Sequence, residues 1–286
     1  MKIEIKPLPA GLHFVATPIG AARDITLRAL DVLASADVLA AEDTRTLRKL
    51  MDIHGIALNG RPLVAYHDHN GKSVRPRLLS DIGCGKSVAY ASEAGTPLVA
   101  DPGYSLGSAV RSAGHLVTTA PGPSAVIAAL TVSGLPSDRF LFAGFLPSSA
   151  SARRSTLTEL GAVPATLAIY ESPKRLHRIL GEMRDLWGDD RHIVVCRELT
   201  KKFEEVVAGE LGEVADMFQD RNIKGEIVIL VDRAKPVEAS DDDLRAALRD
   251  RLHRMSLKDA VSEVAIAFSQ PRRHVYQLGL ALGADQ

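Results

Sequence analysis

Short apolar runs alternate along this chain with amphipathic stretches, and polar segments rich in Gly and Pro separate them. Residues 12–16, 38–41, 63–66, 87–91 and 116–119 read as strands, and 87–91 is a short apolar run of the kind a buried strand carries. Residues 26–36, 45–55 and 105–113, and a stretch opening at Ala125, carry a helical period. Asp24 lies in the N-cap region of the first helix and Gly55 closes the second. This rhythm predicts a largely parallel sheet with helices on both faces. A second unit opens near Phe140. Its predicted strands are 140–145, 165–170, 192–196, 204–211 and 226–231, and its helices are 153–160 and 174–186. Residues 232–243 read as a polar linker, and 244–282 are helical in pattern. The domain reading is 1–136, 137–236, and a linker with a small helical unit over 237–286.

The polar loops gather where predicted strands end, at 17–20, 42–44, 67–70, 92–104, 121–124, 170–173 and 198–201. Open α/β sheets bind ligands at the carboxyl ends of their strands, so these loops can share one cleft between two units. The most telling loop is Ser92-Glu93-Ala94-Gly95-Thr96-Pro97-Leu98-Val99-Ala100-Asp101-Pro102-Gly103-Tyr104. Its glycines let backbone approach a ligand closely, and its prolines stiffen the path.

A length of 286 residues predicts about two domains. Hydrophobic content of 46% and charged content of 24% place the chain among soluble globular proteins. No apolar run approaches the roughly 18 residues of a membrane helix, and residues 1–9 lack a signal-peptide core. Cys84 and Cys196 lie far apart without metal-like spacing, so they read as reduced thiols of a cytoplasmic protein, and no metal site is expected. The formal net charge is zero, so any nucleic-acid surface must be local. Aromatic residues make up only 5% and form no RNP-type motif, so any RNA contact would have to use phosphate, ribose and shape.

One set of motifs runs in order along residues 11–232. It comprises Ala16-Thr17-Pro18-Ile19-Gly20, Ala41-Glu42-Asp43-Thr44-Arg45, Glu93-Ala94-Gly95-Thr96-Pro97, Ala100-Asp101-Pro102-Gly103-Tyr104, Pro121-Gly122-Pro123-Ser124-Ala125, Gly144-Phe145-Leu146-Pro147, Tyr170-Glu171-Ser172-Pro173, Glu198-Leu199-Thr200-Lys201 and Lys224-Gly225-Glu226. Together they resemble the rRNA small subunit methyltransferase I family of the tetrapyrrole methylase superfamily. The chain departs from the family pattern at Glu93, where aspartate is usual, and at Ala21, where asparagine is usual.

The resemblance implies two α/β domains of tetrapyrrole-methylase type with the cofactor cleft between them, plus a small helical C-terminal unit. It implies a homodimer that uses S-adenosylmethionine to methylate the ribose 2′-hydroxyl of a cytidine in the decoding region of 16S rRNA, with the rRNA itself or the small ribosomal subunit as partner. It places the cofactor on Pro18, Ala94, Gly95, Leu98, Val99, Ser124, Ala125, Tyr170, Leu199, Lys224 and Gly225.

A ribose hydroxyl is a poor nucleophile until its proton leaves, so a base is sought among strand-end carboxylates. Glu93, Asp101 and Glu171 are the chief candidates, with Glu42 and His67 beside them. Arg45, Arg48, Arg153, Arg154, Lys174 and Arg175 are the candidate RNA contacts, and Arg272-Arg273 reads as a solvated face that could also touch RNA. Two alternatives stand beside this reading: a corrin or porphyrin methyltransferase, and a non-catalytic ribosome-assembly factor that binds RNA.

Overall fold

The computed structural model describes residues 3–67, 69–100, 103–234, 240–268 and 270–284. The first part of the chain alternates strands and helices, from β1 (Gly11–Val15), α1 (Leu27–Ser35), β2 (Val38–Ala41), α2 (Thr44–Ile53) and β3 (Leu63–Ala65) to α3 (Gly71–Gly83) and β4 (Ser87–Ala91). It continues through α4 (Tyr104–Ser112), β5 (Leu116–Ala120) and α5 (Ala125–Ser133). The strands form a five-stranded sheet of order β3-β2-β4-β1-β5, parallel at every pairing. Alternate side chains of a strand face opposite ways. Leu12, Phe14, Val38, Ala40, Val88 and Tyr90 pack into one core, while Val15, Leu39, Ala41, Ala89 and Ala91 pack into another. Both faces are therefore covered, which is why these strands read as unbroken apolar runs.

Local chemistry fixes where the helices begin. Thr26, not Asp24, caps α1: its Oγ1 accepts the Ala29 amide at 3.1 Å. Asp43 caps α2 by accepting the Arg45 amide at 2.8 Å. Each cap contributes about 1 kcal/mol to its helix. Helix α3 was not anticipated from sequence, and Pro76 inside it interrupts the pattern that would announce it.

The second part runs through β6 (Phe140–Phe145), α6 (Ala150–Gly161), β7 (Thr166–Glu171), α7 (Leu176–Trp187), β8 (His192–Arg197), β9 (Glu205–Glu210), α8 (Leu211–Phe218) and β10 (Ile227–Val231). Its sheet has order β6-β7-β10-β8-β9. Only β6 and β7 pair in parallel; β10 runs antiparallel to both β7 and β8, and β9 antiparallel to β8. The reversal of β10 has a positional result: Ile227, at its start, lies opposite Glu171 and Arg197, at the ends of β7 and β8. The segment before β10 thereby joins the loops that follow β7 and β8.

Both sheets belong to one compact unit. A second unit contains α9 (Asp241–Leu252), α10 (Leu257–Ala267) and α11 (Arg272–Ala284). Its core is Leu244, Leu248, Val261, Val264, Val275 and Leu278. Ser240 and Asp243 form a capping box on α9, and Ser256 caps α10. Of the expected linker over 232–243, residues 235–239 lie outside the described residues, and its last three residues open α9.

Candidate active site

The carboxyl ends of the parallel strands meet the β7, β8 and β10 end of the second sheet around a cleft of about 620 Å³. Three loops of the first sheet are tied together there. Thr17 and Gly95 exchange backbone hydrogen bonds of 3.0 Å in each direction. Ser92 Oγ donates to the Gly95 carbonyl at 2.6 Å. Thr96 Oγ1 donates to the Pro123 carbonyl at 2.8 Å. Gly95 has φ +79°, and a Cβ there would lie 3.2 Å from Ile19 Cγ2.

The two halves also touch directly. The Ala21 amide donates to Thr200 Oγ1 at 3.1 Å. A Cβ on Gly20 would stand 2.5 Å from that same oxygen, so glycine permits the approach. Lys201 Nζ bridges Glu198 Oε1 at 2.8 Å and Glu226 Oε2 at 2.9 Å, joining the loop after β8 to the segment before β10. Backbone strain gathers on these loops. Among the described non-glycine residues with left-handed φ, all but Asn59 lie here: Leu98 (73°), Ala100 (57°), Glu198 (52°) and Thr200 (63°). Such conformations cost on the order of 1–3 kcal/mol each and cluster where function demands them.

Glu171, the last residue of β7, is 2% exposed and lines the cleft. Its Oε1 accepts the Ser172 amide at 2.8 Å and pairs with Arg175 Nε at 3.1 Å. Its Oε2 is buried without a hydrogen-bond partner. Burial pushes this carboxyl above the ordinary carboxylate range, and the Ser172 amide, Arg175 and Arg153 only partly offset it. Beside it, the phenol of Tyr170 is raised by burial and accepts the Val126 amide from the first turn of α5. Tyr170 packs edge-on against Phe145, with centroids 5.6 Å apart.

The sequence matches the family model for Tetrapyrrole (Corrin/Porphyrin) Methylases over residues 11–215. It matches the RsmI C-terminal HTH domain over residues 238–283. A ribosomal RNA small subunit methyltransferase I of Mesorhizobium japonicum is 45% identical, over 98% of this chain and 95% of its own length. One from Vibrio cholerae is 42% identical, over 96% of this chain and 97% of its own. The chain belongs to the ribosomal RNA small subunit methyltransferase I family. It is a methyltransferase.

Solved structures confirm the fold of this methyltransferase. Cobalt precorrin-4 methyltransferase superposes with a TM-score of 0.59 at 18% identity, covering 78% of this chain and 95% of that one. Uroporphyrin-III C-methyltransferase from Thermus thermophilus, complexed with S-adenosyl homocysteine, gives 0.54 at 20% identity, covering 77% and 96%.

The expected site residues fall into three groups. Pro18, Ala94, Gly95, Val99, Ser124, Ala125, Tyr170, Leu199 and Gly225 line the cleft, with Glu93, Glu42 and Glu171. Leu98 and Lys224 do not line it; both are exposed beside lining residues. Asp101 lies outside the described residues. His67 is not in the lining. Among the described residues, no cluster of side chains is arranged to hold a metal ion.

The arginines divide in a way that corrects the sequence reading. Arg153 is not an RNA contact. Its side chain is 1% exposed and forks onto Glu182 at 2.6 Å from both Nε and Nη2. Its Nη1 donates to the Ser148 carbonyl at 2.8 Å. Arg175 is committed likewise, to Glu171 Oε1 and to the Leu146 carbonyl at 2.8 Å. The two guanidinium groups hold the loop after β6 and so the backbone that carries Phe145. Arg154, the next residue on α6, faces solvent and pairs with Asp185 at 3.3 Å. Arg45 and Arg48 remain exposed on α2, whose Thr46 reaches the cleft, and Lys174 is exposed beside lining Pro173. Sequence reasoning did not assign Thr46, Phe145, Lys201 or Glu226 to the site. The Glu198-Leu199-Thr200-Lys201 and Lys224-Gly225-Glu226 motifs carried the signal for the last two.

Proposed function

We propose that this methyltransferase transfers a methyl group from S-adenosylmethionine to the ribose 2′-hydroxyl of a cytidine in the decoding region of 16S rRNA, with the small ribosomal subunit as its partner. The observation that carries the chemistry is Glu171, a cleft-lining residue whose buried Oε2 has no hydrogen-bond partner. The names of the relatives support the rRNA substrate.

The lining suits this cofactor. Small residues at Gly20, Ala94, Gly95, Ser124, Ala125 and Gly225 leave backbone accessible, and Leu199, Ile227 and Val228 supply apolar surface. Glu42, Glu93, Glu171 and Glu226 line the same space. Lys201 is the one cation in that lining among the described residues, and it is already held by two carboxylates. Such a cleft favours a cationic guest. The lining residues that would hold the cofactor are Pro18, Ala94, Gly95, Val99, Ser124, Ala125, Tyr170, Leu199 and Gly225, with Leu98 and Lys224 beside them. When bound, it supplies an electrophilic methyl for in-line displacement.

The protein's own contribution is positioning and proton removal. Glu171 Oε2 takes the ribose proton, while Ser172 and Arg175 fix the carboxyl through Oε1. Glu93 is exposed at the mouth and less suited to that task. Arg45, Arg48, Arg154 and Lys174 are the exposed cations available for phosphates outside the acidic cleft. We further propose a cytoplasmic homodimer, with domains over 1–136 and 137–236 and a helical unit within 237–286.

The deciding experiment incubates the protein and labelled S-adenosylmethionine with small subunits from a strain lacking this gene, with a tetrapyrrole precursor in parallel. A single 2′-O-methylcytidine, mapped by mass spectrometry to the decoding region, is expected. Label on a base, or on the tetrapyrrole alone, overturns the proposal.

A further inference from the structure

The helical unit carries a groove of about 350 Å³ between α10 and α11, lined by Lys258, Val261, Arg272, Arg273 and Tyr276. Residues three and four apart share a helix face. Lys258 and Val261 therefore present one wall from α10, and Arg272, Arg273 and Tyr276 the other from α11. The charge of this unit is unevenly committed. Asp241 is held by His274 at 2.8 Å, Asp242 by Arg245 at 2.9 Å, Asp250 by Arg254 at 2.6 Å and Glu263 by Arg251 at 3.2 Å. Asp243 and Asp259 are engaged with Ser240 and Ser256 at the caps of α9 and α10. Among the described residues, Lys258, Arg272 and Arg273 have no carboxylate partner and no carboxylate lines the groove.

We propose that this groove binds the RNA backbone, as a phosphate clamp remote in sequence from the methylation cleft. The inference rests on the rRNA reading above and names a surface for that substrate. Guanidinium forks match phosphate oxygens two at a time, and the ammonium of Lys258 adds a compact charge. Arg272 and Arg273 stand in the first turn of α11, where the helix dipole also favours an anion. Tyr276 is 44% exposed and offers a ring for a ribose or an unstacked base. A neutral chain needs such a local surface to hold a polyanion. An apolar protein partner would find only Val261 and the Tyr276 ring in this lining.

The test measures binding of the full chain to a transcript of the 16S rRNA decoding region across a salt series. The K258A/R272A/R273A variant is compared with wild type and with R249A, which removes an exposed charge outside the groove. Tm and S-adenosylmethionine affinity check that the fold is intact. The triple variant is expected to bind RNA at least about tenfold more weakly, while R249A stays near wild type. The slope of log Kd against log salt should fall by about 2, from roughly 0.7 per lost single-strand phosphate contact. R272K/R273K should restore most of the loss. Equal affinity and slope for the triple variant and wild type overturn the proposal. So does an unchanged RNA affinity with lost binding of a poly-glutamate probe, which assigns the groove to an acidic protein. A wild-type chain that binds neither this transcript nor the small ribosomal subunit brings down the rRNA reading as well. A wild type that binds and methylates RNA, with an equally competent variant, removes this surface alone.

Discussion

Glu171 and Arg153 both bury charge, and their settings lead to opposite expectations. Burial raises the Glu171 carboxyl, and one of its oxygens lacks a partner at the cleft. As a base it must be ionised, so kcat/KM falls as pH drops through a value above the ordinary carboxylate range near 4.3. Glu171→Gln should lower kcat by about 10²–10⁴ and abolish that acid limb, a far larger loss than in S-adenosylmethionine affinity. Single-turnover methylation across a pH series reads both; an unchanged acid limb assigns the base elsewhere. Arg153, itself buried, instead pairs with the half-buried Glu182. Arg153→Ala leaves that carboxylate and the loop carbonyls without their donor and should destabilise by about 1–3 kcal/mol. Arg154→Ala, at the surface, should stay within roughly 0.5 kcal/mol. Urea melts of the two variants distinguish a structural arginine from a solvated one. No feature of Ser151-Ala152-Arg153-Arg154-Ser155 announces which arginine turns inward. Glu182, which decides it, lies 29 residues along the chain on another helix.

At the scale of elements, what was legible followed from burial. The inner parallel strands β1, β2 and β4 are covered on both faces, so their apolar runs stood out. Helix α3 carries Pro76 and few buried residues, and its period is weak. Helix α8 starts at Leu211 directly after β9, so the expected strand over 204–211 ran into it. The reversal of β10 was not legible, because strand direction depends on partners far away in sequence. It nevertheless explains why Lys224-Gly225-Glu226, which precedes its strand, reaches a cleft otherwise built from loops that follow theirs. The loop over residues 92–100 was legible as a site by its Gly and Pro content, while its strain was not. Gly95→Ala tests that loop. Its φ of +79° disfavours a side chain, and the new Cβ would press on Ile19 at 3.2 Å. We expect S-adenosylmethionine to bind at least about tenfold more weakly by calorimetry, with a loss in stability on the order of 1 kcal/mol. Unchanged cofactor affinity would show that the loop does not form part of the cofactor site.

For the whole molecule, the proposed homodimer rests on surfaces left uncovered. β5 and β6 end their sheets and expose Leu116, Phe140 and Leu141. Helix α5 is apolar on every side and exposes Ile127 (52%) and Val132 (47%), while Val126, Ala129 and Leu130 enter the core. A helix that is apolar all round is ordinarily buried, and an open apolar strand edge invites association. A second copy of the chain would bury both. The formal charge of zero adds no net repulsion to such a pairing. Sedimentation should therefore show twice the chain mass, and Tm should rise with protein concentration. I127D/V132D should sediment as a monomer while keeping its far-UV circular dichroism, since both side chains point outward. A wild-type monomer at micromolar concentration would refute the dimer, and a dimer that survives this variant would place its interface away from α5.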